Sequence, residues 1–201
     1  MSSRKQRTRE KILNSAQRLL VERGYHGVGL GEIARDAGVS RQAIYLHFKS
    51  KSDLFVAMAQ HGDEMAGVQE ILRPGRESKT ALEALDASVS AYAAMEPRIY
   101  DIASVIYSTR RSDPAAEAVW QERGNFRWQN IRRDMERLQG EGLLSDGWMV
   151  DEATDFVWSL LSLHTYEYLV VERGWSIERF VRRLRMMLHR TIVKEPDSHT
   201  Q

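Results

Sequence analysis

Between Leu30 and Phe48 the chain reads LGEIARDAGVSRQAIYLHF, a string that few backbones accommodate. Ala34 is small where two helices would cross, so their backbones can approach closely. Gly38 follows four residues later, where the chain must reverse, and glycine takes a left-handed backbone without steric cost. Ser40 comes next as an N-cap, because a serine oxygen accepts from first-turn N–H groups that lack a helical partner. Ile33, Val39 and Ile44 are the apolar plugs of a small core. The spacing predicts two short helices, over 30–37 and 40–48, packed steeply around a tight turn.

The rest of the chain reads as helix too. Ile12, Ala16, Leu19 and Leu20 recur at the 3.6-residue period over 4–23, and Gly24 stops that helix. Ser50 and Asp53 stand at capping-box spacing and open a helix carrying Leu54, Phe55, Met58, His61 and Met65 towards residue 72. Arg73-Pro74-Gly75 is expected to break it. Thr80 and Glu83 repeat the capping-box pattern and start a helix to about residue 95, where Pro97 ends it or starts the next. Asp113-Pro114 is an N-cap acid followed by proline at the first helical position. The helix it opens carries Trp120, Trp128, Ile131, Met135 and Leu138 and ends at Gly140 and Gly142. A very apolar helix is expected over 151–172. Gly174 separates it from a last helix after Ser176, with Phe180, Val181, Leu184, Met187 and Leu188 on one side. Only four prolines occur and no stretch alternates apolar and polar residues for long, so the expected fold class is all-α. We divide the chain into an N-terminal helix-turn-helix domain at 1–52, a helical ligand-binding and dimerisation domain at 53–195, and a flexible tail at 196–201.

Charge separates the first two regions. Residues 1–51 hold 11 Lys and Arg against 4 Asp and Glu, and the remaining residues hold 18 against 24. A basic head on an acidic body points to a nucleic-acid partner. The predicted second motif helix suits that partner. Its N-terminal end can face the major groove, where Arg41 can donate two parallel hydrogen bonds to guanine and Gln42 can pair with adenine. Tyr45, His47, Lys49 and Lys51 can reach phosphates, which position a protein without reading sequence. His47 reads equally as a surface histidine, and Lys49 as a solvated charge. An exposed tyrosine on so short a helix has little structural purpose.

The stretch GYHGVGLGEIARDAGVSRQAIYLHFKSKSDLF resembles the N-terminal domain of the TetR family of one-component repressors. The likeness covers residues 8–60, about a quarter of the chain. It is most specific in AGVSRQAIYLHFKSKSDLF, where Tyr45, His47, Phe48 and Lys51 stand where the family has them. The resemblance implies DNA contacts from Ser40, Arg41, Gln42, Ala43, Tyr45, His47 and Lys51. It also implies an all-helical homodimer with a small-molecule pocket in each C-terminal body. The chain departs from the family at two positions. Gly29 replaces the usual serine or threonine before the first motif helix, which removes a hydroxyl that would also hold a phosphate. Gly31 stands where many members carry a base-contacting arginine or lysine. Arg4, Lys5 and Arg7 form an arm with two open readings, as a minor-groove or phosphate contact or as a disordered basic tail.

The body holds all five tryptophans and reads as suited to an apolar ligand pocket, although any single aromatic there reads equally as core. On the resemblance, the candidate ligand set is Met58, His61, Met65, Tyr92, Met95, Tyr107, Trp128 and His164. His61 shares a face with Met58 and Met65, and its alternative is a satisfied core histidine. The segments 151–173 and 176–193 are the candidate dimer interface, since a helix apolar almost all round needs cover on both sides. A two-fold dimer through them gives a four-helix interface and sets two recognition helices roughly 34–36 Å apart, one turn of DNA.

Other function classes find little support. There is no cysteine, no glycine-rich phosphate loop, and no GxSxG or HExxH motif. The six histidines show no metal-ligand spacing. We expect no enzyme, no cofactor and no metal. No apolar run approaches the roughly 20 residues of a membrane span, and the absence of cysteine fits a cytoplasmic protein. A DNA-binding protein of this fold without a ligand, such as a chromosome-organising factor, remains as the other class.

Overall fold

The computed structural model describes residues 4–194, and the expected tail at 196–201 lies outside them. Among the described residues ten α-helices and one π-helical segment follow one another. They are α1 Arg4–Arg23, α2 Leu30–Asp36, α3 Arg41–Tyr45, α4 Lys51–Ala66, α5 Val68–Glu77, α6 Ala81–Thr109, α7 Pro114–Gly140, α8 Val150–Leu160, α9 Leu163–Tyr166, the π-helical Glu167–Glu172, and α10 Ile177–Thr191. The all-α fold class holds; the sole β-type contact among the described residues is an isolated antiparallel bridge between Leu144 and Val193.

The chain forms two compact units. Among the described residues the first comprises 4–66 and 99–123, and the second comprises 67–98 and 124–194. In the first unit the periodic face of α1, with Ile12, Leu13, Ala16, Leu19 and Leu20, is buried against Ile33 and Ala34 of α2, Ile44, and Leu54, Phe55 and Met58 of α4. Ile102, Val105, Ile106, Ala116 and Val119 join the same cluster. Burying each such aliphatic or aromatic side chain contributes about 1.5–3 kcal/mol. Polar ties fix the cluster's edges. Arg18 pairs with Asp36 and Arg23 with Glu32. The Tyr25 hydroxyl donates to Asp113 Oδ2 at 2.5 Å, and Asp113 Oδ1 caps α7 by accepting from the N–H groups of Ala115 and Ala116.

In the second unit, Leu85, Val89 and Tyr92 on α6, Ile131, Met135 and Leu138 on α7, and Phe180, Leu184 and Leu188 on α10 are buried at helical spacing. Side-chain bonds pin these helices to one another. Ser88 donates to Asp134 at 2.6 Å, and His189 pairs with Asp86 at 2.9 Å. The indole N–H of Trp128 donates to Asp155 at 2.8 Å.

Three sequence expectations need correction. Pro74 does not end the fourth helix: α4 stops at Ala66 because Gly67 takes a left-handed backbone (φ 69°), and α5 then runs through Pro74. Pro97 does not divide its helix either, and α6 runs unbroken for 29 residues around it. Proline forfeits one N–H bond, but Pro97 sits on the exposed side while Met95 and Ile102 keep the flanking turns buried. The long apolar helix at 151–172 is interrupted. Leu161 leaves helical backbone, Ser162 caps α9 by accepting from the Thr165 N–H, and the last stretch is π-helical with no buried residue.

Candidate nucleic-acid interface

The turn between α2 and α3 forms as its residues dictate. Ala37 N–H donates to Ile33, Gly38 N–H to Arg35 and Val39 N–H to Ala34, closing α2 from behind. Gly38 has φ 65°, so the left-handed residue sits where the sequence placed it. Ser40 Oγ accepts from Ala43 N–H at 3.1 Å and caps α3. Gly29 serves as N-cap of α2 with its backbone alone. Its carbonyl accepts from Glu32 and Ile33, and Glu32 Oε2 accepts from its N–H at 3.0 Å. The missing hydroxyl at that position therefore leaves the helix intact.

α3 is short, five residues, and it buries only Ile44. Everything else on it is available. Arg41, Gln42 and Tyr45 are exposed, with Ala43 half-buried between them. The Arg41 guanidinium lies 6.0 Å from the centre of the Tyr45 ring. This arrangement presents a planar donor, an amide and a phenol on one short helix whose N-terminal end is free of acidic side chains. Positive partial charge at that end and the Arg41 cation both favour a polyanion. Ser40 and Gly31 are also exposed. A Cβ added at Gly31 would meet nothing within 4 Å, so the glycine there is not demanded by packing.

His47 and Lys51 are less free. His47 is half-buried, and burial, then the charges of Lys5 and Arg9, hold its imidazole below the ordinary histidine pKa. In the free protein this favours the neutral form of the ring. Lys51 turns inward. Its ammonium donates to the Tyr25 carbonyl and lies 4.1 Å from the centre of the Tyr25 ring, and burial lowers its pKa. Arg4, Lys5 and Arg7 are exposed on the first turns of α1, in helical rather than extended backbone.

One exposed side chain escaped the sequence reading. Leu46, just past α3, is 79% exposed. Beside Tyr45 it gives the reading head an apolar surface of the kind that contacts a thymine methyl. The signal was present in the spacing: the turn Ile44–Phe48 buries its first and last residues, which leaves Leu46 no core to join.

The candidate ligand residues divide between the units. Met58, His61, Met65 and Tyr107 belong to the first, and Tyr92, Met95, Trp128 and His164 to the second. Met58 is fully buried in the first unit's core and Met65 is 72% exposed. His61 is buried with Nε2 3.0 Å from Asn14 Oδ1, the arrangement of a satisfied core histidine. The Tyr107 ring centre lies 5.0 Å from that of Trp120, the planes tilted by 59°, with the Arg110 guanidinium 4.2 Å from the Tyr107 ring centre. In the second unit Tyr92 and Met95 are buried and Trp128 and His164 are partly exposed.

The class these features define is a helix-turn-helix DNA-binding head on an all-helical body. Residues 12–58 match the family model described as "Bacterial regulatory proteins, tetR family", so this N-terminal segment is a DNA-binding domain of the TetR type. It is similar to the HTH-type transcriptional activator FasR of Mycolicibacterium smegmatis, 41% identical over 78 residues, which are 38% of this chain and 36% of that one. It is also similar to the HTH-type transcriptional repressor AcnR of Corynebacterium glutamicum, 30% identical over 116 residues, 56% of each chain. These alignments span between about a third and just over half of the curated relatives' length. Among solved structures, a transcriptional regulator from Saccharomonospora viridis in complex with choline matches at TM-score 0.77 with 22% identity. That match covers 93% of this chain and 98% of the other, and it shows a shared fold. No helix among the described residues is long and apolar enough to cross a membrane.

Proposed function

We propose that this chain is a homodimeric transcriptional repressor that binds a palindromic operator and is released by a small molecule held in its C-terminal body. The observation that carries the reading is α3: a Ser40-capped helix, anchored by Ile44, whose remaining side chains are kept out of the core. Arg41 reads guanine, Gln42 reads adenine, Leu46 meets a thymine methyl, and Ser40, Ala43, Tyr45 and His47 border the backbone. Lys51 acts chiefly by fixing the Tyr25 carbonyl, which sets where α4 begins relative to the chain after α1.

The dimer reading is supported by the C-terminal segments. Tyr168 and Val171 in the π-helical stretch are 56% and 51% exposed, and Met186 on α10 is 37% exposed. Apolar side chains so presented at 151–173 and 176–193 suit a second copy of this chain. A two-fold dimer would present two heads to one face of DNA, and binding would then exclude polymerase. The S. viridis regulator of the same fold is in complex with choline, which supports a small-molecule effector for this chain. Occupancy would change head spacing with a coupling of about 1–3 kcal/mol.

Selection of bound duplexes from a random pool tests this reading. An inverted repeat should emerge, the complex should hold two chains, and affinity should weaken steeply with salt as phosphate contacts are screened. Failure to enrich any short palindrome, or a one-chain complex, would overturn it.

A further inference from the structure

The second unit holds a buried acid and a half-buried base, each with a covered polar atom that makes no hydrogen bond. Glu96 on α6 is only 4% exposed, and its Oε2 has no hydrogen-bond partner and no contact with solvent. Arg127 on α7 faces the same interior, and its Nε is likewise covered and unpartnered. Both charges act on Tyr92, which is 3% exposed. The Arg127 guanidinium lies over the Trp158 ring at 4.9 Å. Trp158 is itself fixed, because its indole N–H donates to the Gly124 carbonyl at 3.1 Å. The base is therefore held in place by an aromatic platform, while the acid and the guanidinium Nε–H are left with unused bonding capacity.

Such an arrangement works against stability. A buried polar atom without a partner costs about 1–3 kcal/mol, and more when charged. An apolar pair of the same volume would pack at least as well. Burial pushes the Glu96 carboxyl up to about 7 against the opposing pull of Arg127. By contrast, the unit's other buried acid, Asp134, is hydrogen-bonded to Ser88. Glu96 and Arg127 thus offer one unmet acceptor and one unmet donor on successive long helices, while the third such atom of this unit, Arg185 Nε on α10, lies 3.6 Å from the Asp86 carboxylate.

We propose that Glu96 and Arg127 are the polar anchors of a ligand site in the second unit, and that the ligand is a small zwitterion of the α-amino-acid type. Its ammonium group donates to Glu96 and its carboxylate accepts from Arg127, with Tyr92 and Trp158 flanking the bound backbone. The pair is electrically balanced, so it selects against a lone cation, which Arg127 repels, and against a lone anion, which Glu96 repels. Glu96 is buried and the Nε of the half-buried Arg127 is covered, so the ligand reaches these atoms only when the side chains around them move. α6 and α7, which carry the anchors, also supply residues 99–109 and 114–123 to the first unit. A change in their packing is thus a change in two continuous helices. The proposal rests on the reading of this chain as ligand-released, and it names the ligand's chemistry.

The test uses the full chain and the twenty common L-α-amino acids offered singly, with thermal unfolding and calorimetric titration as readouts. The matched amine and the matched carboxylic acid of any positive serve as controls. The expected result is saturable binding of at least one amino acid and at least 10-fold weaker binding of either half-molecule. Glu96→Gln and Arg127→Met should each weaken binding about 10-fold or more. Glu96→Gln remains informative if Arg127→Met fails to fold, because it removes a buried charge and should not lower the melting temperature at pH 8. Equal binding of the amine alone or the acid alone, no binding by any amino acid, or unchanged affinity in Glu96→Gln would each overturn the assignment. Operator binding is measured in the same samples. Amino-acid binding that depends on Glu96 but leaves DNA affinity unchanged would sustain the site and refute release. Release by some other compound, unaffected by either substitution, would do the reverse.

Discussion

Asp113 is the residue whose removal most directly tests how the first unit is held together. Its Oδ1 accepts from Ala115 and Ala116 N–H at 2.8 and 3.3 Å, so alanine there strips the cap from α7, a loss of about 0.5–2 kcal/mol. Its Oδ2 accepts from the Tyr25 hydroxyl at 2.5 Å and from Ser52 Oγ at 3.3 Å. The tyrosine bond is short, has a charged acceptor, and belongs to a side chain only 8% exposed. Its loss costs about 1.5–3 kcal/mol. The two effects share one carboxylate and do not add fully, so Asp113→Ala is expected to destabilise by about 3 kcal/mol. Asp113→Asn keeps a competent cap and turns a charged bond into a neutral one, for about 1 kcal/mol. Tyr25→Phe leaves the cap alone and falls between them.

Urea unfolding at pH 7 measures all three, with the slope unchanged and the midpoint shifted. Combining Asp113→Ala with Tyr25→Phe gives the pair's coupling, expected at about 1.5 kcal/mol or more. The pH dependence supplies a second check. Burial alone would raise the Asp113 carboxyl, but the bonds from Tyr25, Ala115, Ala116 and Ser52 outweigh it and hold the pKa below the ordinary value. A depressed carboxyl pKa adds stability that is present above its unfolded value and lost as pH falls through the folded one. Wild type should therefore lose stability below about pH 4 more steeply than Asp113→Asn. Tyr25 moves the other way: burial and the Asp113 bond push it up to about 12, so its contribution is lost as pH rises from 10 towards 12, a loss absent in Tyr25→Phe. A coupling under about 0.5 kcal/mol would refute the view that this carboxylate joins the segments around residues 25, 52 and 113.

Arg41→Ala should cost about 1–3 kcal/mol in operator affinity and relax selection at one base pair, read by repeating the duplex selection; an unchanged consensus would remove Arg41 from base reading. Gly31→Lys fills open space beside the head and should tighten DNA binding while steepening its salt dependence by about one phosphate contact, measured by fluorescence anisotropy at several salt concentrations. Gly38→Ala meets no atom but must hold φ 65°, so it should destabilise by about 1–2 kcal/mol through backbone strain alone. Glu96→Gln should be nearly neutral for stability at pH 4.5 and stabilising at pH 8. The raised carboxyl pKa makes the folded state hold its proton longer, so wild-type stability falls as pH rises from about 4.5 to about 7, by about 3 kcal/mol.

The parts of this fold that the sequence made legible are those with local causes. Ser40, Thr80, Asp113 and Ser176 each cap a helix with their own side chains, because a cap is a contract between residues three apart and needs no tertiary knowledge. Gly38 was legible for the same reason. The prolines were not, because whether a lost N–H bond breaks a helix depends on what lies beside it. Pro74 and Pro97 are exposed, and the packing around them outweighs one missing bond, whereas Gly67 broke α4 with no flanking turn residues to announce it. Inside the apolar run, Ser162 was a legible cap that the surrounding hydrophobicity overrode.

The reading head and the body differ in a way that follows from this. A head that meets DNA can be read from a string, since its work is done by side chains with no place in the core. Arg41, Gln42 and Tyr45 are recognisable by what they fail to pack against, and Leu46, exposed beside them, is revealed by the fold. A binding site inside a helical body is made of residues that look like core from either side. Hydrophobic spacing cannot separate Met58, which is core, from a ligand contact. Chemistry can: Glu96 stood in the sequence between Met95 and Pro97 with nothing to mark it, and only its burial opposite Arg127 shows a polar group kept where stability alone would have replaced it.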